Sequence, residues 1–459
     1  MIAGSFIAFL LAFVVVGALA SRVKQNTSSD YLLASRNIHP VFVALSAIAT
    51  NSSGFMFIGL IGETYTVGVS AMWIMIGWVT GEFIAWKSGV PQALRRKSAQ
   101  THTETIGSFL GHGLKEGRKV SAMIALITVL FLSTYAAAQL KAGSKALHVL
   151  FGWDDSAGAI LGAVIVTIYC FSGGIRASIW TNVTQSFVML LSMGCLMTAA
   201  MLKLGGPIGL ISALHGIDPA LLSINPKDSW FGFLLFALGW MAAGAGVVGQ
   251  PHIMVSLMTM RSEKDVPTAR FIYFLWYILF VISAVLVGLC ARALLPNISN
   301  FDPELALPTL AQHLLPDILI GFTLAGLFAA TMSTADSQIL SCSAAITQDL
   351  VPKWSHSIKA LKMSTLCVAC VVLAFALYGD NVFTMVVLSW SILASSIGPL
   401  VVLKCFGAPL TSTLALATSA TGLITVLLWR TVLHLSGAMY EVLPGMLASF
   451  AVYFLLRKK

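Results

Sequence analysis

The chain has 459 residues, of which 58% are hydrophobic and only 10% are charged, and its formal net charge is +9. A soluble domain carries roughly 25% charged residues, so this composition excludes an ordinary cytosolic protein and predicts an all-α polytopic membrane protein. The basic residues are spread over the loops and form no stripe that alternates with aromatics. This pattern argues against binding to nucleic acid, and the expected partner of the protein surface is the lipid bilayer.

A transmembrane helix needs about 20 apolar residues to cross the hydrocarbon layer. Thirteen segments of the sequence meet this requirement, so we expect 13 transmembrane helices. In chain order they lie near residues 2–20, 40–62, 66–86, 120–147, 156–173, 178–202, 230–250, 270–295, 318–348, 362–379, 382–405, 412–432 and 440–456.

The positions of the Lys and Arg residues indicate how these spans are oriented. The large majority of the 27 fall in loops on the same side of the membrane as the C-terminus. Because cytoplasmic loops carry an excess of Lys and Arg, we expect the N-terminus outside and the C-terminus in the cytoplasm. The predicted location is the cell membrane, which is the inner membrane where a cell has two.

Two of the spans contain residues that do not suit a regular membrane helix. The second holds TNSSG at 50–54, and the seventh holds GWMAAGAGVVGQP at 239–251. Irregular backbone is tolerated in the bilayer only where protein buries it or where it lines a watery cavity. Interrupted spans at matching positions in two halves of a chain are typical of a transporter whose binding site lies between them. The alternative for the glycines is close packing of helices.

The ninth span carries one acid among several hydroxyls, in the sequence TMSTADSQIL at 331–340. A carboxylate at bilayer depth costs roughly 3 kcal/mol on insertion scales, so we expect Asp336 to have a partner. A cation is the simplest partner, and the hydroxyls of Ser333, Thr334 and Ser337 are hard oxygens of the kind that bind sodium. The alternative is that these residues only hold helices together and that Asp336 bonds a neighbouring amide.

Five stretches carry a family resemblance. They are YLLASRNIHPVFVALSAIATNSSGFMFIGLIG, GGIRASIWTNVTQS, GQPHIMVSLM, AGLFAATMSTADSQILSCSAAITQDL and SILASSIGPLVVL, and they follow one another from about residue 30 to 405. In this order they resemble the sodium:solute symporter family, and most closely its sodium/proline symporter branch. The resemblance implies one transmembrane transporter domain with a LeuT-type core of two inverted five-helix repeats at 40–406, an extra helix and loop at 1–39, and two further helices at 407–459.

The resemblance also implies sodium-coupled symport of a small organic solute rather than enzymatic catalysis. The residues agree, because His252 and His356 look like isolated loop histidines and form no cluster that could serve as a catalytic site. A non-transporting sensor with a transporter-like core is an alternative, although the tail after Leu456 leaves no room for a signalling domain. We expect the monomer to be functional.

The sodium ligands follow from the resemblance position by position. They are the backbone carbonyls of Ala49 and Ser52 in the second span, and the carbonyl of Ala330 with the hydroxyls of Ser333 and Thr334 in the ninth. Such a site has five oxygens and no formal charge. It is chemically reasonable, because a broken helix exposes carbonyls and a neutral cage lets the ion leave again.

Two positions depart from the family pattern. Proline symporters carry an acid where this chain has Asn51, and many members carry one in place of Asn182. Asp336 is expected to compensate, since it lies one helix turn from Ser333. Together with Asn182 and Ser337 it can form a second cation site; alternatively it carries a proton, or it bonds Asn182 and anchors the fold.

The solute is expected between the two interrupted spans, near the middle of the membrane. The aromatic residues among the candidates can equally be ordinary core. A proline-like amino acid is the first expectation; because Asn51 is uncharged, a carboxylate such as pantothenate, a monocarboxylate or a sialic acid is the alternative. The candidate lining residues are Asn51, Ser53, Gly54, Phe55, Tyr135, Gln139, Trp240, Ala243 and Val247.

Two further expectations concern the edges of the membrane. Glu82 lies near the cytoplasmic end of the third span, where its side chain is expected to reach out to the interface. The outer loop at 301–317 is expected to form a short lid helix over the access path.

Overall fold

The computed structural model describes residues 1–22, 27–226, 232–295, 301–379 and 381–457. Within these ranges the chain is almost entirely helical, apart from turns and a backbone bridge between Ile38 and Met260. The α-helices are α1 (Ile2–Ser21), α2 (Ser28–Leu33), α3 (Pro40–Asn51), α4 (Leu60–Val67), α5 (Met72–Lys87), α6 (Val90–Gln100), α7 (Ile106–Gly111), α8 (Gly117–Phe151), α9 (Asp155–Leu204), α10 (Pro207–Ile217), α11 (Phe233–Ala245), α12 (Pro251–Met258), α13 (Val266–Leu294), α14 (Ala306–Leu314), α15 (Asp317–Ala344), α16 (Ile358–Tyr378), α17 (Val382–Cys405), α18 (Ser412–Leu427) and α19 (Val442–Leu456).

Shorter helices of other types connect or extend these elements. The 3-10 helices are Ala34–Arg36, Gly68–Ala71, Pro219–Leu222, Gly246–Gly249, Glu263–Asp265, Pro303–Leu305 and Pro352–Trp354. The π-helices are Phe55–Gly59, Ala345–Leu350 and Leu428–Val432.

The predicted membrane spans all contain helix. In the described part of the chain, nine helical stretches are long and apolar enough to cross a membrane, and the bent pair of α11 and α12 makes a tenth. Shorter apolar helices accompany them, and the all-α polytopic class is confirmed. The count of thirteen stays a prediction, because Phe55–Lys87 and α9 each run across a boundary between two predicted spans. The shorter apolar helices are Pro40–Asn51, Ser156–Ile168, Pro207–Ile217 and Val442–Leu456.

α9 joins the fifth and sixth predicted spans, but its backbone kinks at Gly174. This residue has φ 59° and ψ −155°, values that a residue with a side chain rarely adopts. A Cβ here would also lie 2.5 Å from the carbonyl oxygen of Tyr31. Glycine is therefore needed at the kink between the two predicted spans.

The second predicted span is interrupted, as TNSSG indicated. α3 ends at Asn51, and Ser52 has φ −82° and ψ 49°, outside the α-helical region. The chain then continues as the first π-helix and α4. A Cβ on Gly54 in this gap would lie 2.9 Å from Thr331 Cγ2 and 3.0 Å from Gln139 Oε1, so only glycine lets α15 and α8 approach the break this closely.

The seventh predicted span is interrupted too. α11 runs into the 3-10 helix Gly246–Gly249, Gln250 is extended, and α12 starts at Pro251 with a bend of 52° between the two halves. The glycines also serve close packing, because a Cβ on Gly244 would lie 1.8 Å from the carbonyl oxygen of Trp78 in α5. Both interpretations of this glycine-rich stretch are therefore confirmed.

The polar ninth span lies at the centre of the bundle. α15 packs against α3, α8, α9 and α12, while α5 packs against α11 and α13 packs against α3, α4 and α5. Of the most apolar part of the ninth span, 83% is buried inside the protein. Its hydroxyls therefore face other helices instead of lipid, and the end of α3 lies beside them.

Candidate ion and substrate sites

The hydroxyls of α15 meet the carbonyl oxygens at the end of α3. Ser333 Oγ donates to the carbonyl oxygens of Ala49 and Ala330, both at 3.0 Å. Thr334 Oγ1 donates to the carbonyl oxygen of Ala330 at 3.0 Å and to that of Thr50 at 2.8 Å. Ala49, Ala330, Ser333 and Thr334 are all fully buried. The structure thus brings together four of the five predicted sodium ligands.

The fifth predicted ligand, Ser52, lies at the helix break next to this group. Its amide is bonded to the carbonyl of Ile48 at 2.8 Å, and its buried hydroxyl has no hydrogen-bond partner among the described residues. The carbonyl of Thr50 was missed as a candidate, although Thr50 belongs to the polar TNSSG cluster. The oxygens here are hydroxyls and carbonyls, which is the donor set that suits a sodium ion.

A second polar cluster surrounds Asn182. Its side-chain Nδ2 donates to the hydroxyls of Ser46 at 3.2 Å, Thr50 at 3.3 Å, Ser178 at 3.4 Å and Ser337 at 3.5 Å. Its Oδ1 is buried and has no partner among the described residues. An unpartnered buried amide oxygen is costly, so this atom is suited to contact a further ligand.

Asp336 belongs to the same cluster. Its carboxylate accepts a hydrogen bond from Ser337 Oγ at 3.0 Å, and the residue is only 2% exposed. Asn182 and Asp336 are therefore connected through the Ser337 hydroxyl, whereas the direct bond between them that the sequence allowed is not among the contacts of the described residues. Ser46 and Ser178 were missed, because nothing local in the sequence distinguishes them from packing serines.

Two of the predicted solute-binding residues at the first break contact predicted residues of the fourth span. The amide of Gly54 donates to Gln139 Oε1 at 2.8 Å, and the hydroxyls of Ser53 and Tyr135 lie 3.3 Å apart. Gln139 and Tyr135 are both fully buried in α8. The break in α3 is thus held by two side chains from a single neighbouring helix.

Aromatic rings connect the two interrupted spans. The ring of Trp78 in α5 lies 5.8 Å from that of Phe55 and 5.9 Å from that of Trp240. Phe55 also lies 5.4 Å from Phe383, and Trp240 stacks on Tyr440 at 4.5 Å. The two predicted aromatics, Phe55 and Trp240, therefore face one cluster whose central ring was missed.

The small residues of the seventh span line the same region. The carbonyl of Ala243 accepts a hydrogen bond from the indole nitrogen of Trp390 at 2.8 Å, and the ring of Trp390 lies 4.7 Å from that of Trp78. Ala243 and Val247 are both fully buried. Ala243 is thereby connected to the same aromatic cluster as Phe55 and Trp240.

The expectation for Glu82 is wrong. Its side chain does not reach the interface, because it is fully buried and points toward the first break. Asn51 Nδ2 donates to Glu82 Oε2 at 3.1 Å and to the hydroxyl of Tyr273 at 2.7 Å, and Tyr273 in turn donates to Glu82. Glu82 belongs to α5, and α5 packs tightly against α11. This packing places Glu82 in the core and not at the membrane surface.

The expectation for His252 is also wrong, since this residue lies in α12 and is only 2% exposed. Its ring packs edge-on against Tyr135 at 5.7 Å, and neither ring nitrogen has a hydrogen-bond partner among the described residues. His252 lines a pocket of about 610 Å³, counted with the solvent at its mouth. The pocket also touches Ser337, Glu104 and Asp349, so it extends from the Asp336 cluster toward the loop after α6.

Charged residues connect the loops at each end of the bundle. Lys145 Nζ lies 2.6 Å from carboxylate oxygens of both Asp302 and Glu304, and Glu304 accepts hydrogen bonds from the amides of Val382 and Phe383 at 3.3 and 2.9 Å. The predicted lid helix follows directly as α14, which confirms a helix in this loop. We call this group the Glu304 latch.

At the other end, Arg36 ties the ends of α6 and α12 to the loop that follows α6. Its guanidinium donates to the carbonyls of Ser98 at 3.1 Å, Thr103 at 2.6 Å and Met258 at 3.4 Å. Burial lowers the pKa of Arg36 to about 10, with a further contribution from the nearby charge of Arg95. The guanidinium stays protonated at neutral pH and keeps these contacts.

The chain is similar in sequence to known transporters. Residues 31–422 match the profile of the sodium:solute symporter family. A sodium/proline symporter of Staphylococcus aureus is 32% identical over 476 residues, covering 99% of this chain and 92% of that protein. The sodium/proline symporter of Staphylococcus aureus strain JH9 is 31% identical over 470 residues, covering 98% and 91% of the two chains.

Solved structures show the same fold. A Na+-coupled sialic acid symporter in a substrate-bound outward-open state has a TM-score of 0.77 at 18% identity, covering 98% of both chains. MhsT in complex with L-phenylalanine has a TM-score of 0.56 at 17% identity, covering 90% of this chain and 98% of that one. These similarities confirm the LeuT-type fold. The chain belongs to the sodium:solute symporter family, and it is a sodium-coupled secondary transporter of small solutes and not an enzyme.

Proposed function

We propose that this chain imports a proline-like amino acid together with sodium. The observation that carries the proposal is the meeting of the Ser333 and Thr334 hydroxyls with the carbonyl oxygens at the end of α3. A cage of neutral oxygens at a helix break suits a transported ion, because it binds sodium and still lets it leave.

In the proposed sodium site, the carbonyls of Ala49, Ser52 and Ala330 and the hydroxyls of Ser333 and Thr334 hold the ion. The two hydroxyls now satisfy the carbonyls of Ala49 and Ala330, so these oxygens already face one another across α3 and α15. A bound ion would tie the two helices together at this point. It would thereby favour one conformation of the break that follows.

The solute is proposed to bind beside the same break. Its contacts begin at Asn51 and Ser53, and the bond from Gly54 to Gln139 makes the shape of the break depend on α8 as well. Sodium and solute then order one short segment, so that ordering by one ligand reduces the entropy cost for the other. The remaining proposed contacts are Phe55, Tyr135, Trp240, Ala243 and Val247.

A proline-like solute is favoured because relatives named sodium/proline symporters align over nearly the whole chain. Glu82 also supports a proline-like solute, because its carboxylate lies 3.1 Å from Asn51. At this place a negative charge would attract the amine of such a solute. The amide at Asn51 itself favours the alternative, which is a carboxylate solute such as pantothenate, a monocarboxylate or a sialic acid.

We further propose that Asn182, Asp336 and Ser337 form a second cation site. The unpartnered Oδ1 of Asn182 and the buried carboxylate of Asp336 support it, because both are oxygen ligands that lack a positive partner in the described part of the chain. Protonation of Asp336 is the alternative. Ion counting separates them, as described in the Discussion.

The proposed topology places the N-terminus outside and the C-terminus in the cytoplasm of the cell membrane. Residues 40–406 would form the LeuT-type core, with 1–39 before it and 407–459 after it, and the monomer would be functional. The packing of α18 and α19 against α17 is consistent with two helices added to the outside of a core.

Uptake of radiolabelled L-proline into proteoliposomes tests the proposal. With pH clamped, an inward sodium gradient should drive accumulation and a potassium gradient should not; uptake that is indifferent to sodium would contradict sodium coupling. A thermal-shift screen of amino acids, monocarboxylates, pantothenate and sialic acids then ranks the solutes. A sensor that does not transport would be stabilised by its ligand in this screen and show no uptake of it.

A further inference from the structure

The Glu82 carboxylate lies beside Asn51 at the proposed solute site, but it belongs neither to the proposed sodium ligands nor to the proposed solute contacts. It is fully buried in α5 and accepts hydrogen bonds from Asn51 Nδ2 and from the hydroxyl of Tyr273. No ion pair in the described part of the chain includes it. A buried carboxylate with only neutral partners needs those partners in place to remain charged.

The neighbours of this carboxylate donate hydrogen bonds and do not form a metal cage. Tyr273 of α13 donates to it, Tyr277 of α13 and Tyr135 of α8 lie nearby, and His252 of α12 packs against the ring of Tyr135. α11 contributes no titratable residue, and Lys87 on the same helix is exposed. Asn51 and Tyr273 donate to the carboxylate and thereby favour its charged form, so the loss of either donor favours binding of a proton.

The position of Asn51 connects this carboxylate to the sodium site. Asn51 is the last residue of α3, and Ala49 and Thr50 directly precede it. The carbonyls of these two residues accept the hydrogen bonds from Ser333 and Thr334 at the proposed sodium site. A contact that holds the end of α3 against α15 therefore also holds the Asn51 amide against the Glu82 carboxylate. When the end of α3 moves away, the carboxylate loses this donor.

We propose that Glu82 binds a proton when the end of α3 is loose and releases it when sodium binds. The inference rests on the proposed sodium site. The proton comes from water, is held on one carboxylate oxygen, and returns to water as Asn51 takes its place as a donor to the carboxylate. Bound sodium then lowers the proton affinity of Glu82, and a bound proton lowers the sodium affinity by the same factor. The apparent sodium affinity should rise with pH, by at most about tenfold per pH unit for one proton.

Sodium alone is the probe for this linkage. The purified full chain is placed in weakly buffered detergent with a pH dye, and NaCl or KCl is added; sodium binding is followed in parallel by thermal stabilisation. Sodium should release up to one proton per protein, and potassium should release none. In Glu82→Gln the release should disappear, and the sodium affinity should no longer depend on pH.

Three matched variants keep the proposal testable if Glu82→Gln does not fold. Tyr273→Phe keeps the carboxylate and removes one donor, so its release should occur at higher pH. Asp349→Asn and His252→Phe remove buried titratable groups that belong to neither proposed site, and both should keep the release. Loss of release in either of them, or an unchanged midpoint in Tyr273→Phe, would overturn the assignment to Glu82.

The outcome also separates this inference from the proposed function. Stabilisation of the wild type by sodium without any proton release would overturn the linkage and leave the sodium site intact. Absence of sodium stabilisation would instead overturn the sodium site and, with it, the inference.

Discussion

Replacement of Thr334 by alanine is the sharpest test of the sodium site. Thr334 Oγ1 donates to the carbonyls of Ala330 and Thr50, and the residue is fully buried between α15 and α3. The Ala330 carbonyl keeps a second donor in Ser333, whereas the Thr50 carbonyl loses the bond that ties it to α15. The change removes one proposed ligand and one contact between the two helices.

The expected size of the effect follows from these contacts. A buried hydrogen bond contributes about 1 kcal/mol, and an acceptor left unsatisfied costs about 1–3 kcal/mol. A loss of roughly 1.4–2.8 kcal/mol in sodium binding corresponds to a half-saturating sodium concentration about 10- to 100-fold higher. Because the hydroxyl is not among the proposed solute contacts, the solute affinity at saturating sodium should change little.

Sodium titration of solute uptake in proteoliposomes measures this effect. Thr334→Ser keeps the hydroxyl and should behave like the wild type. Thr323→Ala is the matched control, because the Thr323 hydroxyl is equally buried in α15 but bonds only to the carbonyl of Leu319 in its own helix. If Thr334→Ala and Thr323→Ala have the same sodium requirement as the wild type, the hydroxyl is not a sodium ligand and the reasoning fails.

Three further outcomes are expected. Asp336→Asn should reduce the number of sodium ions moved per solute in a reversal-potential measurement; an unchanged number with lower thermal stability would mean that Asp336 only positions Asn182 through Ser337. Glu304→Gln leaves Lys145 with Asp302 as its remaining carboxylate partner and weakens the acceptor of the Val382 and Phe383 amides, so a cysteine introduced at Phe383 should react faster with an impermeant reagent from outside. An unchanged reaction rate would show that the Glu304 latch does not close the outer side. The best solute of the thermal-shift screen should stabilise the protein in sodium only, and equal stabilisation in potassium would contradict coupling through the break.

Features that depend on local composition could be predicted from the sequence. Adjacent polar side chains in TNSSG and closely spaced glycines before Pro251 indicate breaks, because a regular membrane helix has no use for them. The hydroxyls around Asp336 stand out for the same reason. The ligand set at Ala49 and Ala330 came from the family resemblance, since backbone carbonyls carry no signal in the side-chain sequence.

Features that depend on the packing of distant helices could not be predicted. Trp78 lies between Phe55 and Trp240 because glycines let α5 and α11 approach within backbone contact, and a hydropathy pattern contains no such distance. Glu82 was assigned to the interface because it lies near the end of an apolar segment. Depth along a segment says nothing about which side of the helix faces protein, and the side that carries Glu82 faces α13.

The two departures from the family pattern have a common physical explanation. Each of the two amides lies near an acid from another span: Asn51 donates to Glu82 at 3.1 Å, and Asn182 reaches Asp336 through Ser337, with distances of 3.5 and 3.0 Å. In both places a neighbouring helix supplies a buried carboxylate within one or two hydrogen bonds of the amide. A cation or proton responds to the charge and the oxygens around it, and not to the helix that supplies them. The absence of an acid at one sequence position is therefore weak evidence for the absence of an ion site, because a neighbouring helix can supply the carboxylate.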